Sequence, residues 1–391
     1  MPIHNRFADL HAEITEWRRH LHTIPELNFD LPKTAAYVEE RLREIGVDSL
    51  ETGVAQTGMV AVIKGKTDTC GRVIGLRADM DALPIHETAE VDYKSTHAGK
   101  MHACGHDGHT AMLLGAAKYL VETRNFDGTA VLLFQPAEEG GGGGKVMVDE
   151  GVMDTYGVQE VYGLHNMPGG AVGEFAIRAG GLLAATDEFA ITITGKGGHG
   201  AAPHEAIDPN VASAHILLAL QSIASRNVDP LGNVVVSVCM MSNDSAAFNV
   251  IPQMVKLGGT VRTLDPKVRD LVEGRFQKIV TATAEAYECV VEINYDRGYP
   301  VTVNTEENTV FAADVARAVA GGSAVDDDTP PIMAGEDFSY MLEARPGAYI
   351  FLGNGEEGAN VHHPDYVFND DAIPAGCSWF AGMIETRMPA A

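Results

Sequence analysis

The run Met101-His102-Ala103-Cys104-Gly105-His106-Asp107-Gly108-His109 gathers a thiol, imidazoles and a carboxylate in one short stretch. A thiol and an imidazole two residues apart are both good ligands for zinc-like metals. The alternative is a buried cysteine beside helix-capping residues, with His97 and His102 on the surface. A second stretch, Phe134-Gln135-Pro136-Ala137-Glu138-Glu139, sets two carboxylates where an apolar strand ends and a glycine run, 140–144, begins. Ligands of open α/β sheets gather at such strand ends. Adjacent carboxylates face different ways, so one can hold a metal while its neighbour acts as a base; the bland reading is a solvated acidic turn. His165 closes Tyr162-Gly163-Leu164-His165-Asn166, and Asp79 and Asp81 close Leu76-Arg77-Ala78-Asp79-Met80-Asp81. Val361-His362-His363-Pro364-Asp365 follows a strand and a glycine-rich loop. Singly, each is a polar residue closing a strand. Together they bring Cys, His, Glu and Asp to several strand ends on one sheet edge, which is how a two-metal hydrolytic centre is assembled. No GxSxG elbow, Walker loop, GxGxxG after a strand or HExxH competes with that reading.

The elements that must carry these residues alternate. Helical spacing covers HAEITEWRRHLH and again Leu31 to Gly46, with a proline-punctuated loop at 22–27. Strands are expected at 58–64, 72–77, 129–134 and 160–164, with an apolar-faced helix at 106–121. Strands alternating with helices argue for an α/β layer structure with a mainly parallel sheet. From about Ala184 the pattern changes. A strand at 189–193, a helix at 209–225, strands at 233–239 and 254–262, a helix at 266–288 and a strand at 290–295 give the order β-α-β-β-α-β. This fits a smaller α+β domain, 184–295, inserted into a larger one made of 1–183 and 296–391. A strand at 348–353 could complete the first sheet.

Composition removes several classes. At about 150 residues per domain, 391 residues suggest two or three domains. With 45% hydrophobic and 21% charged residues, the chain has material for a sizeable core. Lys and Arg number 28 against 54 Asp and Glu, a net charge of −26, which disfavours nucleic acid and anionic membranes as partners. No run approaches the 18 or so apolar residues of a membrane span. The opening shows no apolar h-region after a basic segment, so no secretory leader is expected. The cysteines, at 70, 104, 239, 289 and 377, are odd in number and scattered, without CxxC. A disulfide scaffold is not expected, and a reducing cytoplasm is the default.

In their order along the chain, RADMDALP (77–84), MHACGHDGHT (101–110), QPAEEGGGG (135–143), GLHN (163–166), GKGGHGAAPH (195–204), AGEDFSYM (334–341) and HHPDYVFND (362–370) resemble the M20 metallopeptidase family. The resemblance is strongest to its amidohydrolase branch of hippurate, N-acyl-amino-acid and auxin-conjugate hydrolases. It spans nearly the whole chain, including Glu16–His22 with Pro25-Glu26 in the family's opening helix. It implies a zinc-peptidase-like catalytic domain with an inserted lid and dimerisation domain. Carried over residue by residue, it implies Cys104, His106, Glu139, His165 and His362 as ligands of two divalent ions per subunit, with Glu138 as general base. His363 stands where the branch commonly has serine, which leaves His362 or His363 open. Most M20 peptidases place a histidine ligand where Arg77 stands here. Cys104 with His106 replaces it, and a thiolate is softer than carboxylate, so zinc, manganese, cobalt and nickel all remain open. Asp79 is then either a group that orients a ligand or a plain strand-end residue.

The expected reaction is hydrolysis of the amide of an N-acyl amino acid to a carboxylic acid and a free amino acid. Glu138 is expected to move the proton and His199 to help stabilise the oxyanion, across subunits by the resemblance; alternatively, His199 is a turn residue among glycines. Asn249, Arg262 and Gly335 match positions that contact substrate, Arg262 as a fork for its carboxylate; a lone arginine otherwise balances nearby charge. A homodimer through the inserted domain is expected, with a higher oligomer open. Two other readings stand beside this one: a dipeptidase or carboxypeptidase of the same family, and a non-catalytic, metal-stabilised binding protein.

Overall fold

Strands buried on both faces need no polar alternation. Gly58–Lys64, Thr129–Gln135 and Gly347–Gly353 are such runs, each buried along nearly its whole length. The computed structural model, which describes residues 3–390, places them in one sheet. The chain divides into two compact units. The first holds the chain up to Leu182 with Val303–Pro330 and Asp337–Ala391; the second holds Leu183–Thr302 with Pro331–Glu336.

In the first unit the strands are β1 (Ser49–Val54), β2 (Gly58–Lys64), β3 (Val73–Asp79), β4 (Thr129–Gln135) and β5 (Glu160–Met167). Their order is β1-β2-β4-β3-β5, followed by Gly347–Gly353, Phe175–Ala176 and Val325–Asp326. The centre is parallel: β4 with β3, β3 with β5, and β5 with Gly347–Gly353. β1 and β2 add an antiparallel edge. β1 is a strand that the sequence pattern does not announce. It is mostly exposed and carries no apolar alternation, so only its pairing with β2 defines it.

Three helices matter for the site. α1 (Ile3–Thr23) and α2 (Pro32–Ile45) precede the sheet, and α3 (His106–Thr123) follows β3. α2 begins with proline in its first turn and ends at Gly46 in the left-handed region. α3 is buried around most of its circumference, which is why its sequence shows little amphipathic contrast. The first unit's core packs Ile14, Leu113, Leu132, Ile350 and Trp379 among others.

The second unit runs strand Ala185–Thr194, helix Pro209–Ser222, strands Val234–Asn243 and Met254–Thr263, helix Pro266–Ala286 and strand Val290–Arg297. Both helices start the same way, with aspartate accepting a backbone N–H two residues on and proline next: Asp208 with Pro209, and Asp265 with Pro266. The four strands form one antiparallel sheet over a core that includes Phe189, Ile191, Leu257 and Phe276. Asp187 and Arg269 form a buried pair that binds helix to sheet, with Nε 3.0 Å from Oδ1 and the Tyr295 hydroxyl donating to Oδ2 at 3.0 Å.

Candidate metal centre

The centre is built on the end of β5, on the loops that follow β3 and β4, and on the first turn of α3. Gly105 begins α3 with a φ of +90°. A Cβ there would stand 2.3 Å from Asn166 Nδ2 and 2.6 Å from the Tyr366 hydroxyl, so only glycine lets the chain enter the helix at this point. His106 is then the first helical residue and Cys104 lies just before it.

Hydrogen bonds fix the imidazoles. His106 Nδ1 donates to the Asp81 carbonyl at 2.8 Å, and His165 Nδ1 donates to the Asn166 carbonyl at 2.6 Å. A carbonyl only accepts, so both rings present an Nε2 lone pair, the arrangement of a metal-ligating histidine. His165 Nε2 stands 3.3 Å from Cys104 Sγ. His106 Nε2 has no hydrogen-bond partner although it is buried.

The turn after β4 brings both glutamates to one place. Side chains in a continuing strand would alternate between faces, which is the expectation from sequence. Instead Ala137 takes a φ of +57°, and one oxygen of each of Glu138 and Glu139 lies within 4.8 Å of a His106 nitrogen. The Asp81 carboxylate accepts the N–H of Glu138 at 2.9 Å and that of Glu139 at 3.1 Å. Gly143 completes the turn, since a Cβ there would meet the Pro136 carbonyl oxygen at 1.7 Å.

His362 reaches the same place from a loop near the C-terminus. Its N–H donates to the Ala103 carbonyl at 2.7 Å, and its Nε2 lies 3.3 Å from Glu139 Oε1. That approach lacks hydrogen-bond alignment, and Glu139 Oε1 is a second buried atom with no hydrogen-bond partner, its contact with His362 being an ion pair. His363 is turned elsewhere: its Nδ1 accepts the Asp365 N–H at 3.1 Å.

Two triads with metal-ligand spacing result, Cys104–His106–His165 and Cys104–Glu139–His362, with Cys104 common to both. The residues fit divalent ions. Buried polar atoms without a hydrogen-bond partner are rare in proteins, and both of these sit among thiol and imidazole groups. The electrostatics agree. Burial, with Glu139, Glu138 and Asp79 nearby, pushes the Cys104 thiol well above its ordinary value. Burial alone would depress His106, but Asp79, Asp81 and Glu139 outweigh it and raise the group to about 10. An excess of negative charge that holds a proton so firmly will hold a metal cation in its place.

A third buried grouping, Asp79–His106–His109, is not a separate site. Asp79 accepts from His109 Nδ1 at 2.6 Å and from Arg77 Nη1 at 2.6 Å. His109 Nε2 accepts the Asn166 N–H at 2.9 Å, so both of its nitrogens are committed. Asp79 therefore holds His109 and Arg77, with His106 Nε2 at 3.8 Å. Arg77 is fully buried and also donates to Asp337 at 2.9 Å and to Gln135 at 2.8 Å.

The remaining expected residues lie in the second unit. His199 is exposed and pairs with Val250 in a short antiparallel ladder, and its Nδ1 accepts the Ala201 N–H. The Asn249 carbonyl accepts the Gly200 N–H at 2.7 Å. Arg262 is half-buried and donates to Thr260 Oγ1 at 2.5 Å and to the Val261 carbonyl; it has no carboxylate partner among the described residues. Gly335 packs against Thr186, where a Cβ would stand 2.3 Å from Cγ2.

Other residues escape sequence reasoning. His102 is buried rather than on the surface, with both ring nitrogens unpartnered. Asp107 takes His22 Nδ1 at 2.8 Å and Arg18 at 3.4 Å, and His22 Nε2 reaches Glu87 at 3.1 Å. The Arg-Arg-His-Leu-His run of α1 carried that signal, but its partners lie far away in sequence.

Comparisons with known proteins identify a family for the chain. The family model for peptidase family M20/M25/M40 matches residues 75–386. The chain is 42% identical over 374 residues to a hippurate hydrolase of Campylobacter jejuni, covering 95% of this chain and 96% of that protein. It is 40% identical to an N-acetyl-L-cysteine deacetylase of Bacillus subtilis, covering 94% and 86%. Among solved structures, a dinuclear metal-binding M20 peptidase of Bacillus subtilis superposes with a TM-score of 0.86 at 31% identity, covering 97% of this chain and 99% of the other. The chain belongs to peptidase family M20/M25/M40.

Proposed function

We infer that this protein is a metal-dependent amidohydrolase that cleaves N-acyl amino acids to a carboxylic acid and a free amino acid. The observation that carries the reading is the convergence of His106 Nε2 and Glu139 Oε1, neither with a hydrogen-bond partner, with Cys104 and His165, beside the Glu138 carboxylate. Cys104, His106, Glu139, His165 and His362 would hold two divalent ions, with zinc, manganese, cobalt and nickel all compatible with this donor set. Such ions supply Lewis acidity, acidifying water and polarising the amide carbonyl. Glu138, only 7% exposed, takes the proton of the attacking water and returns it to the amine nitrogen as the C–N bond breaks. Asp79 keeps Arg77 and His109 in place around the centre, and His199, reaching across subunits, donates a hydrogen bond to the developing oxyanion.

Arg262 and Asn249 hold the substrate's carboxylate, and Gly335 keeps the chain beside Thr186 free of a side chain. Arg262 is half-buried and, among the described residues, donates to Thr260 and Val261 rather than to a carboxylate, and its planar fork suits a substrate carboxylate. The unit around 184–295 also carries the homodimer contact. Its sheet has two edges. Val290–Arg297 is guarded by Glu292, Asp296 and Arg297, whereas Val234–Asn243 has no charged residue and leaves Met240 and Met241 half-exposed. An uncharged edge pairs readily with a second copy.

The test compares N-benzoyl, N-acetyl and dipeptide substrates sharing one C-terminal residue, together with their amidated forms. The reading expects kcat/KM to be highest for N-acyl acids. It expects Arg262→Ala to lower that value by the equivalent of about 2–5 kcal/mol, with little effect on amides. Preference for dipeptides would make the protein a peptidase instead, and equal cleavage of acids and amides would remove the role of Arg262.

A further inference from the structure

His362 is held differently from the other imidazoles of the centre. His106 lies in α3 and His165 in β5, and each ring is fixed by Nδ1 donating to a carbonyl. His362 lies in a loop, its side chain is 53% exposed, and among the described residues its Nδ1 has no hydrogen bond. Its backbone takes a φ of +65°, a region that a non-glycine residue keeps only where its surroundings hold it. The direction of this ring is therefore set by whatever holds the loop.

Two segments hold it. The Ala103 carbonyl accepts the His362 N–H at 2.7 Å. Beyond His362, the Pro364 carbonyl accepts the N–H of Thr88 at 2.9 Å and that of Ala89 at 3.3 Å, and the Asp365 carboxylate accepts the Thr88 hydroxyl. Thr88 belongs to a long loop, 84–100, whose ends are clamped together: Leu83 and Met101 exchange both backbone hydrogen bonds at 3.0 Å. A loop of this length without secondary structure of its own is uncommon in a compact unit unless it has a function. We propose that the loop is a strap that positions His362, with Glu87 as its anchor and Thr88 as its contact, and that it serves one metal ion of the centre and not the other. The proposal rests on the assignment of His362 as a ligand.

Glu87 is 7% exposed and adjoins Thr88. Its Oε2 accepts the Ser95 N–H at 2.7 Å across the loop, and its Oε1 lies 3.1 Å from His22 Nε2. These two contacts compensate a buried carboxylate, and they fix the segment whose next two N–H groups are aimed at Pro364. The far part of the loop is tied to the turn after α1. The Thr23 carbonyl accepts both the N–H and the hydroxyl of Thr96, and the Pro25 carbonyl accepts His97 Nδ1 at 2.8 Å. Selectivity follows from the donor sets. His362 enters the triad Cys104–Glu139–His362, whereas Cys104–His106–His165 contains no residue of the His362 loop. Releasing the strap loosens the first triad and leaves the second intact.

The experiment uses full-length Glu87→Ala and Thr88→Val, stripped with a chelator and titrated with zinc. Thr88 is exposed, so its substitution removes the hydroxyl without opening the core. The readouts are the affinity of each zinc ion, amide exchange at residues 88, 89 and 362, and Tm. For Glu87→Ala one ion is expected to bind about 10–100-fold less tightly, while the other changes by less than about twofold. Excess zinc should refill the weakened position by mass action. The amides of residues 88, 89 and 362 should exchange about tenfold faster, while those of 108–112 in α3 keep their protection. Thr88→Val should weaken the same ion by about threefold, because the backbone contacts with Pro364 remain.

Unchanged affinity for both ions, or unchanged exchange at 88, 89 and 362, overturns the proposal. So does a lower Tm with both ions weakened equally, because the loop would then support the fold rather than His362. If Glu87→Ala does not fold, Thr88→Val decides by the same readings. Wild type that takes up one zinc ion only also overturns the proposal. Wild type that binds two ions yet cleaves no N-acyl amino acid with any of the four metals overturns the functional reading alone, and the zinc and exchange readings still decide the role of the strap.

Discussion

Cys104 is the residue on which the two ligand triads depend, and its environment makes a sharp statement about its chemistry. Burial and the surrounding carboxylates hold the thiol protonated, so only a bound cation can keep it as thiolate. Metal-loaded protein should therefore leave Cys104 unlabelled by an alkylating agent, and chelation should expose it to slow labelling that mass spectrometry assigns to residue 104. Equal labelling in both states contradicts ligation, and no labelling in either state makes it an inert buried thiol. At this scale the sequence was largely legible, because Cys104-Gly105-His106 and Glu138-Glu139 are dense local runs. Asp81 was not. It lies two residues from Asp79 and has the same residue type, and only the arrival of β4's turn beside it distinguishes the two.

The elements around the centre were legible where burial leaves a pattern and silent where pairing alone defines them. The continuous apolar runs of β2, β4 and Gly347–Gly353 announce strands, and the Asp-Pro starts announce helices Pro209–Ser222 and Pro266–Ala286. β1 gives no such sign because its residues face water. The join between α1 and α3 was likewise hidden. Arg18 and His22 of α1 hold Asp107, the neighbour of His106, across a gap in sequence that no spacing rule spans. Burial opposes charge on His22, but Asp107 and Glu87 outweigh it and raise the group to about 9. The folded value lies above the ordinary value of about 6.5, so this contribution to stability is complete below that pH and disappears as pH rises through about 9. Thermal unfolding of metal-saturated protein should show Tm falling between about pH 6.5 and 9.5, and His22→Gln should flatten that fall while lowering Tm at pH 6. Parallel Tm curves for the two proteins would remove His22 from the account.

For the whole molecule, the proposed homodimer contact lies in the second unit. The uncharged edge at Val234–Asn243 predicts a dimer by light scattering at micromolar concentration, and Met240→Lys with Met241→Lys should shift it to monomer while leaving far-ultraviolet circular dichroism unchanged. A dimer that survives both substitutions would place the contact elsewhere. Among the described residues no helix is long and apolar enough to cross a membrane. The central claim concerns the first unit: its donors hold metal ions, and Glu138 moves the proton. The most direct measurement strips the protein with a chelator, restores zinc, manganese, cobalt or nickel one at a time, and follows N-benzoyl amino acid hydrolysis and bound metal for wild type and Glu138→Gln. The account predicts that wild type regains activity as about two ions bind per chain. It also predicts that Glu138→Gln binds the same number and stays at least ~10²-fold slower in kcat. Full activity in the stripped protein, or near wild-type turnover by Glu138→Gln, would contradict it.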